Sequence, residues 1–351
     1  MSQFLPFLPS SMFSFLLLLL PLLSPPAAAM PPPGAAQLRP GFYAETCPEA
    51  ERILRGVMWR AMLREPRSAA SVMRLQFHDC FVNGCDGSVL LDDTPTMRGE
   101  KLALSNINSL RSFEVIDEAK AALERACPGV VSCADIVVIA ARDAVSLSGG
   151  PDWEVKLGRL DSLWASQEDA DSIMPSPRAN ATSLIQLFRR FNLSIVDLVA
   201  LSGSHSIGDG RCFSVNFRLH HQYAPGTPIP DMDPAFRRRI ELLCPDDGDG
   251  NVTAGLDATP FRFDNQYFKD LVGLRGFLNS DETLFSGDRQ TREVVERFSD
   301  DQAGFFSAFV EGMVKMGDLQ SGRPGEVRRN CRMVNAHSHP RSQLPSSLLA
   351  A

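Results

Sequence analysis

The chain has 351 residues, of which 22% are charged and 44% are hydrophobic, the composition of an ordinary globular protein. This length is enough for one large domain or two lobes. The formal net charge of −7 argues against nucleic acid as a partner, because phosphate backbones bind to basic surfaces.

The first residues predict a secretory signal peptide. No charged side chain precedes Arg39, and residues 13–23 form a short leucine-rich stretch followed by prolines and alanines. The stretch is too short for a membrane span, and small residues at 34–36 offer a cleavage site that leaves Gln37 first. We expect residues 1–36 to be removed, with no membrane span afterwards. A retained anchor is the alternative, because the segment lacks an initial Lys or Arg.

Helical patterns dominate the chain after Gln37. The predicted helices cover residues 49–65, 69–79, 113–126, 132–141, 194–203 and 301–316, and a further helix begins at Asp233. Ser132 and Ser194 each stand three residues before an aspartate, the spacing of a capping box, and Pro234 follows an N-cap aspartate. Convincing strand alternation is scarce. We therefore expect a mainly α protein with at most a short hairpin or two.

Eight cysteines all lie after the predicted signal peptide. An even number in a secreted chain indicates four disulfides, although the spacing alone leaves the pairing open. Sequons at Asn180, Asn192 and Asn251 predict N-glycosylation and fit the same compartment. The tail, residues 332–351, is expected to be disordered or processed, and we expect its two histidines to bind no metal.

Arg74 and His78 are four residues apart, so on a helix they share one face. A permanent cation and an imidazole that titrates near neutrality would then point into one space. Such a pair suits a reaction that removes a proton from a small molecule and stabilises the resulting anion.

The other histidines narrow the search for a site. His220 and His221 lie in a polar stretch and are interpreted as surface residues. His205 follows the apolar run 198–203 and is expected near the end of a buried helix. A single histidine there is most often a hydrogen-bonded core residue, but a buried imidazole is also the usual axial ligand of haem iron.

The stretch after His78 is rich in oxygen groups. Asp79, Asp86 and Ser88 offer side-chain oxygens at close spacing, and main-chain carbonyls can add others. Calcium takes oxygen ligands from such loops. Taken alone, a short acidic loop is more often a solvated turn.

Two longer motifs identify a family. Residues 74–88, RLQFHDCFVNGCDGS, resemble the distal motif of the class III secretory plant peroxidases, the horseradish peroxidase family, and residues 198–208, LVALSGSHSIG, resemble their proximal haem motif. The resemblance covers residues 37–331 and every cysteine. It implies a mainly α, two-lobed haem peroxidase domain, with one haem b between distal and proximal helices and two bound Ca²⁺ ions.

The resemblance also assigns roles around the haem. His205 would be the axial ligand of the iron, and Asp281 would accept its other ring N–H. Arg74 and His78 would be the catalytic pair, and Asn106 would accept the Nδ1 proton of His78.

Further positions would complete the pocket. Glu100 would extend the Asn106 network towards the distal calcium, Phe77 would close the pocket beside the iron, and the carbonyl of Pro175 would meet donor substrates. Three positions hold phenylalanines at the haem edge of horseradish peroxidase but differ here: Leu104, Arg178 and Ser214. The preference for particular donor substrates is therefore the property that the family resemblance predicts least well.

The calcium ligands and disulfides follow from the same resemblance. The distal Ca²⁺ would be held by Asp79, Val82, Gly84, Asp86 and Ser88, with Val82 and Gly84 using their carbonyls. The proximal Ca²⁺ would be held by Ser206, Asp257, Thr259, the carbonyl of Arg262, and Asp264. The Asp257 to Thr259 spacing is one residue shorter than usual, which predicts shifted ligation or weaker binding. The implied disulfides are Cys47–Cys127, Cys80–Cys85, Cys133–Cys331 and Cys212–Cys244.

The implied function is that of a secreted peroxidase, a donor:hydrogen-peroxide oxidoreductase. It would reduce hydrogen peroxide and oxidise small phenolic donors in one-electron steps through an oxoferryl intermediate. We expect a monomer in the extracellular space or cell wall, with a vacuolar address through the tail as the alternative.

Two rival functions fit parts of the sequence. A catalytically silent, secreted haem- and calcium-binding cell-wall protein would be expected to lose part of the set Arg74, His78, Asn106, His205 and Asp281. A cysteine hydrolase using Cys80 and His78 fails, because a disulfide-bonded cysteine offers no thiolate.

Overall fold

The computed structural model of the protein describes residues 37–224 and 227–336. The predicted signal peptide, and the tail from residue 337 with His337 and His339, lie outside the described residues. Within the described ranges, no helix is both long and apolar enough to span a membrane.

Helices make up most of the described chain, which confirms the mainly α prediction. The thirteen α-helices of the described residues are α1 (Ala50–Arg64), α2 (Ser68–Phe81), α3 (Phe113–Ala126), α4 (Cys133–Leu147), α5 (Gln167–Ile173), α6 (Ala181–Arg190), α7 (Ile195–Ser202), α8 (Cys212–Asn216), α9 (Pro234–Leu243), α10 (Gln266–Val272), α11 (Asn279–Ser286), α12 (Arg289–Asp300) and α13 (Gln302–Gly317). Short 3-10 turns cover Ser88–Leu90, Glu100–Leu102 and Gly203–Ser206, and a π-helical turn covers Phe217–His221.

Two small antiparallel sheets join distant segments. β1 (Asp161–Ser162) pairs with β4 (Gly325–Glu326), and β2 (Asp209–Arg211) pairs with β3 (Thr253–Gly255). Neither pair is a hairpin, because α5 to α13 lie between β1 and β4, and α8 and α9 lie between β2 and β3. Strands of two or three residues are too short for an alternating apolar and polar pattern to be recognised in the sequence.

The two predicted capping boxes have different outcomes. Ser194 and Asp197 do exchange hydrogen bonds at the start of α7, at 3.1 and 2.8 Å. Ser132 accepts the N–H of Asp135 over 3.2 Å, but the Asp135 carboxylate does not return the bond. It is buried and accepts from the hydroxyl of Tyr43 over 2.7 Å instead. Tertiary partners thus displace the local bond.

The helices fall into two groups, in agreement with the predicted two-lobed fold. In the first group α2 packs against α1 and α4, and α3 covers α1 and α4. In the second, α7 packs against α12 and α13, while α10 and α11 pack on α12. α13 also contacts α2, so one continuous core runs through both groups.

Four disulfides brace this framework: Cys47–Cys127, Cys80–Cys85, Cys133–Cys331 and Cys212–Cys244. These are the predicted pairs. Cys80–Cys85 pins the loop that follows α2. Cys133–Cys331 spans 198 residues and ties the end of the domain to the start of α4.

Candidate active site

One face of α2 carries the predicted distal pair. Arg74 and His78 lie one turn apart, and Nε of Arg74 donates a hydrogen bond to Nε2 of His78 over 3.1 Å. The helix packs against α4, with Val72 and Leu75 fully buried. Because packing fixes the helix, the guanidinium and the imidazole are held towards one common space.

Asn106 sets the tautomer of His78. Its Nδ2 donates to the carbonyl of Glu100 over 2.8 Å, which leaves Oδ1 facing Nδ1 of His78 at 2.6 Å. An amide oxygen can only accept, so Nδ1 carries the proton and Nε2 carries the lone pair. This is the protonation state that the predicted acid–base role requires.

The electrostatics favour a neutral imidazole beside a cation. Burial and the neighbouring Arg74 charge hold the pKa of His78 well below its usual range, opposed by the bond to Asn106. Burial and the charge of Arg211 lower the pKa of Arg74 to about 10, so the guanidinium stays charged at neutral pH. This combination suits removal of a proton from a weak acid and stabilisation of its anion.

The residues that hydrogen-bond to the guanidinium of Arg74 were not predicted from the sequence. Nη2 of Arg74 donates to the carbonyl of Ser105 over 2.8 Å and to Oγ of Ser109 over 3.0 Å. Nη1 donates to the carbonyl of Ser109 over 3.1 Å. The loop that supplies Asn106 therefore orients both members of the distal pair. No pattern in the sequence near Arg74 predicts these contacts, because Ser105 and Ser109 lie 31 and 35 residues further along the chain.

His205 lies in the 3-10 turn directly after α7, close to where the apolar run predicted it. Its Nδ1 bonds to Oδ1 of Asp281 over 2.7 Å. Asp281 is buried in the first turn of α11, and its Oδ2 accepts the N–H of Leu278 over 3.0 Å. Because an ionised carboxylate can only accept, Nδ1 is protonated and Nε2 keeps its lone pair.

A second side chain on Asp281 was not predicted. The hydroxyl of Tyr267, on α10, donates to Oδ1 of Asp281 over 3.1 Å. Its ring stands edge-on to the imidazole of His205, with the ring centroids 6.1 Å apart. Only the packing of α10 beside α11 reveals this contact.

Several side chains around the two histidines are only partly buried. The turn that carries His205 packs against α2. Arg74 and Phe77 are partly exposed although they lie within α2, and 36% of the His205 side chain is exposed. Among the described residues, none hydrogen-bonds to Nε2 of His205, which leaves that nitrogen for a metal. These features fit an axial ligand better than a satisfied core histidine.

The loop after α2 gathers the predicted distal calcium residues. Asp79 and Asp86 are buried, and Asp79 accepts the N–H of Gly87 over 2.9 Å. Burial and the charge of Asp86 raise the pKa of Asp79 to about 8, and burial raises that of Asp86 to about 6. Burial also raises the pKa of Glu100 well above its usual range. Close carboxyl groups of this kind need a counter-charge to ionise together.

Two buried oxygens of this region have no hydrogen-bond partner, Oγ of Ser88 and Oε2 of Glu100. A bound cation would supply the missing partner, so the residues fit calcium. Val82 and Gly84 lie in the same turn, where Gly84 has a φ of +98° and a side chain would strike the main chain of Gln320. Within the described ranges no three His, Cys, Asp or Glu side chains form a metal site, so carbonyl and hydroxyl oxygens would have to complete the shell.

The predicted proximal calcium residues also come together. Oγ of Ser206 donates to the carbonyl of Asp264 over 2.8 Å and lies 3.3 Å from that of Arg262. Oγ1 of Thr259 donates to Oδ1 of Asp264 over 3.1 Å, and its N–H donates to Asp257 over 2.7 Å. Burial raises the pKa of Asp257 to about 7. The five positions thus converge despite the shortened spacing.

The predicted donor region lies on a loop between α5 and α6. Pro175 is partly exposed there, and the carbonyl of Pro177 accepts the N–H of Ser280 over 3.0 Å, which ties the loop to α11. The exposed Arg178 lays its guanidinium 4.4 Å from the ring centre of Phe217. An exposed cation stacked on an aromatic ring therefore lies beside the predicted donor region.

Outer features agree in part with the sequence predictions. All three sequon asparagines are exposed: Asn180, Asn192 and Asn251. His221 is exposed, as expected. The surface interpretation is wrong for His220, which is partly buried and bonds to the carbonyl of Cys244 over 2.9 Å.

Comparison with known proteins assigns the family. A family model described as Peroxidase matches residues 54–301. Peroxidase 17 of Arabidopsis thaliana is 70% identical over 298 residues, which cover 85% of this chain and 90% of that protein. Peroxidase 49 of the same plant is 44% identical over 92% of this chain and 98% of its own. Peroxidase N of Armoracia rusticana is 48% identical over 86% of this chain and 92% of its own.

These relatives cover nearly the whole described domain and all carry the name of an enzyme, which favours a peroxidase over the catalytically silent alternative. The fold, the disulfides and the paired histidines point the same way. The chain therefore belongs to the class III plant peroxidase family, and it is a haem-dependent enzyme that reduces hydrogen peroxide with electrons from a donor.

Proposed function

We propose that His205 binds the iron of haem b and that Arg74, His78 and Asn106 carry out the reaction with hydrogen peroxide. When bound, the haem supplies the redox-active iron for peroxide cleavage and for electron transfer from donors. The observation that carries the proposal is that Nδ1 of each histidine is already engaged, by Asn106 and by Asp281. Each Nε2 therefore keeps its lone pair, one for a metal and one for a proton.

His78 would move a proton between the two peroxide oxygens. Nε2 accepts it from one oxygen, and the imidazolium then donates it to the other, which leaves as water. Once Nε2 takes up the proton it can no longer accept the Arg74 N–H, which would then turn to the peroxide, and the charge of the guanidinium would stabilise the anion. Two donors then give one electron and one proton each, so one hydrogen peroxide becomes two waters.

Phe77 and Glu100 would support this site. The ring of Phe77 stands edge-on to His78, with the ring centroids 5.5 Å apart, and limits the space beside it. The carbonyl of Glu100 holds Asn106, while its buried carboxyl group lies next to Ser88. Glu100 thus links the histidine network to the loop proposed to bind calcium.

Two calcium sites are part of the proposal. The distal ion would be held by Asp79, Val82, Gly84, Asp86 and Ser88, and the proximal ion by Ser206, Asp257, Thr259, Arg262 and Asp264. The unpartnered Oγ of Ser88 and the raised pKa of Asp79, Asp86 and Asp257 support a need for cations at both places.

The remaining proposals concern the chain as a whole. Residues 37–331 would form the domain, following a removed signal peptide of residues 1–36 and preceding a tail of residues 332–351. The enzyme would be a secreted monomer of the cell wall, or of the vacuole if the tail is a targeting signal. Asn180, Asn192 and Asn251 would be glycosylated, and small phenols would be the donors, meeting the carbonyl of Pro175.

Histidine variants of the purified holoprotein test the roles. We expect His78→Leu to keep the Soret band but to slow the reaction with peroxide at least about a hundredfold, because it removes the acid–base group. His205→Ala should lose stable haem ligation. His221→Leu changes an exposed histidine and should match the wild type in stopped-flow kinetics and in a phenol panel.

Two results would contradict the assignment. The first is a near-normal rate of peroxide reaction in His78→Leu. The second is an unchanged Soret band with full activity in His205→Ala.

A further inference from the structure

We infer that Tyr267 is a positioning residue of the haem site, one that sets through Asp281 how strongly His205 donates electrons to the iron. This inference rests on the proposed roles of His205 and Asp281. It assigns to the tyrosine hydroxyl a function distinct from packing.

Two hydrogen bonds meet on one oxygen atom of Asp281. Oδ1 of Asp281 accepts from Nδ1 of His205 over 2.7 Å and from the hydroxyl of Tyr267 over 3.1 Å. Oδ2 is occupied separately by the N–H of Leu278 over 3.0 Å. The tyrosine and the histidine therefore share the negative charge of the same carboxylate oxygen.

The direction of the Tyr267 bond is fixed by its surroundings. Only 1% of the residue is exposed, and Phe268 packs edge-on against it with the ring centroids 5.1 Å apart. Burial and the charge of Asp281 raise the pKa of the phenol well above its usual range, so the hydroxyl keeps its proton and donates. Buried in this way, the bond is sheltered from competition by water.

A donor on a carboxylate lowers its basicity. With Tyr267 in place, Asp281 attracts the Nδ1 proton of His205 less strongly, and the imidazole carries less negative charge. Without the hydroxyl, the imidazole becomes more anionic and a stronger donor at Nε2. A stronger axial donor stabilises the more oxidised iron, so the ferric–ferrous midpoint potential should fall.

The chain offers a matched control for the substitution. Tyr43 is also buried, and its hydroxyl also donates to a buried carboxylate, that of Asp135, over 2.7 Å. That bond joins the first chain turn to α4 and not to the haem site. The Tyr43 hydroxyl also accepts the N–H of Ser132 over 3.3 Å, so Tyr43→Phe measures the loss of a buried, hydrogen-bonded tyrosine hydroxyl away from the haem site.

The test compares Tyr267→Phe and Tyr43→Phe as purified holoproteins. In Tyr267→Phe we expect a more negative midpoint potential and a higher iron–histidine stretching frequency in the resonance Raman spectrum of the ferrous form. Tyr43→Phe should lower the melting temperature without moving either readout. Equal potentials and frequencies in Tyr267→Phe and the wild type would overturn the inference.

A double-variant cycle locates the effect. In an Asp281→Asn background, Tyr267→Phe should shift the potential no further, because the carboxylate through which it acts is absent. A full shift in that background would overturn the route through Asp281. If Asp281→Asn moves the potential but Tyr267→Phe does not, only the role of Tyr267 fails. If His205→Ala keeps normal ligation, the proposed function itself fails.

A haem-free measurement covers the case in which Tyr267→Phe does not retain haem. In protein labelled with ¹⁵N-histidine, the Nδ1 proton of His205 should move downfield in Tyr267→Phe, because its bond to Asp281 becomes stronger. An unchanged resonance would overturn the inference.

Discussion

Nε of Arg74 donates to Nε2 of His78 over 3.1 Å, which places a permanent cation against the one nitrogen that must remain unprotonated. The arginine is held there from a distance by Ser105 and Ser109. One contact thus combines the two requirements of the site, a base with a lowered pKa and a charge for the anion that forms.

Removing the arginine should show both effects. We expect Arg74→Leu to slow the reaction with peroxide by about 10² to 10³ fold, the usual cost of losing one group that stabilises a developing anion. Burial and Arg74 together lower the pKa of His78, so without Arg74 that pKa rises. The acid limb of the stopped-flow pH profile should then move to higher pH. An acid limb that stays in place would contradict this account.

Calcium removal should weaken the domain and its distal site. Bound calcium at about 100 times its Kd contributes about 2.7 kcal/mol per site by mass action, so a chelator should lower the melting temperature. Ser88→Ala removes an otherwise unpartnered oxygen and should reduce the calcium-dependent part of that shift. Equal melting curves with calcium and with chelator would rule out structural calcium sites, and magnesium serves as the control ion.

Glu282 should make stability fall as the pH rises. Burial raises the pKa of its carboxyl group to about 8 in the folded state. The folded protein therefore holds a proton that the unfolded chain releases near its ordinary carboxyl pKa, and stability is lost as the pH rises towards 8. Glu282→Gln should raise the melting temperature relative to wild type more at pH 9 than at pH 5.

The control for this substitution is Glu293→Gln, which changes an exposed glutamate on α12. It should give the same small difference at both pH values. A Glu282→Gln effect that is independent of pH would show that the carboxyl group does not titrate in this range.

Loss of two different disulfides should affect the stability and the peroxide reaction of the protein to different extents. Replacing Cys133 and Cys331 by serine opens a loop of 198 residues and should lower the free energy of unfolding by about 5 kcal/mol in the chain-entropy model. Replacing Cys80 and Cys85 opens a loop of five and should cost about 2 kcal/mol. Because the shorter bridge braces the distal loop, its loss should slow the peroxide reaction more. Denaturant titration measures the stability of the two double variants, and stopped-flow kinetics measures their rates. A larger loss of stability without Cys80–Cys85, or a larger loss of rate without Cys133–Cys331, would contradict this prediction.

Local sequence patterns predicted some helices accurately and missed others. Residues 113–126 match α3 at both ends, because an amphipathic pattern and a following Cys-Pro-Gly mark them. Six helices were not predicted: α5, α6, α8, α10, α11 and α12. α11 opens at Leu278 and Asn279 without an N-cap serine or threonine, so it lacks the usual starting signal. The sheets escaped prediction because their strands pair across the chain.

The sequence by itself determined the chemistry of this protein: a helix with Arg74 and His78 on one face, an apolar run leading to His205, and cysteines whose pairing the family resemblance supplied. These are short-range patterns, set by helical period and by residue type. Only the tertiary structure decided how each group is held. Asn106, Ser105 and Tyr267 act through hydrogen bonds to residues 14 to 31 positions away, and such bonds depend on helix packing, which no local pattern records.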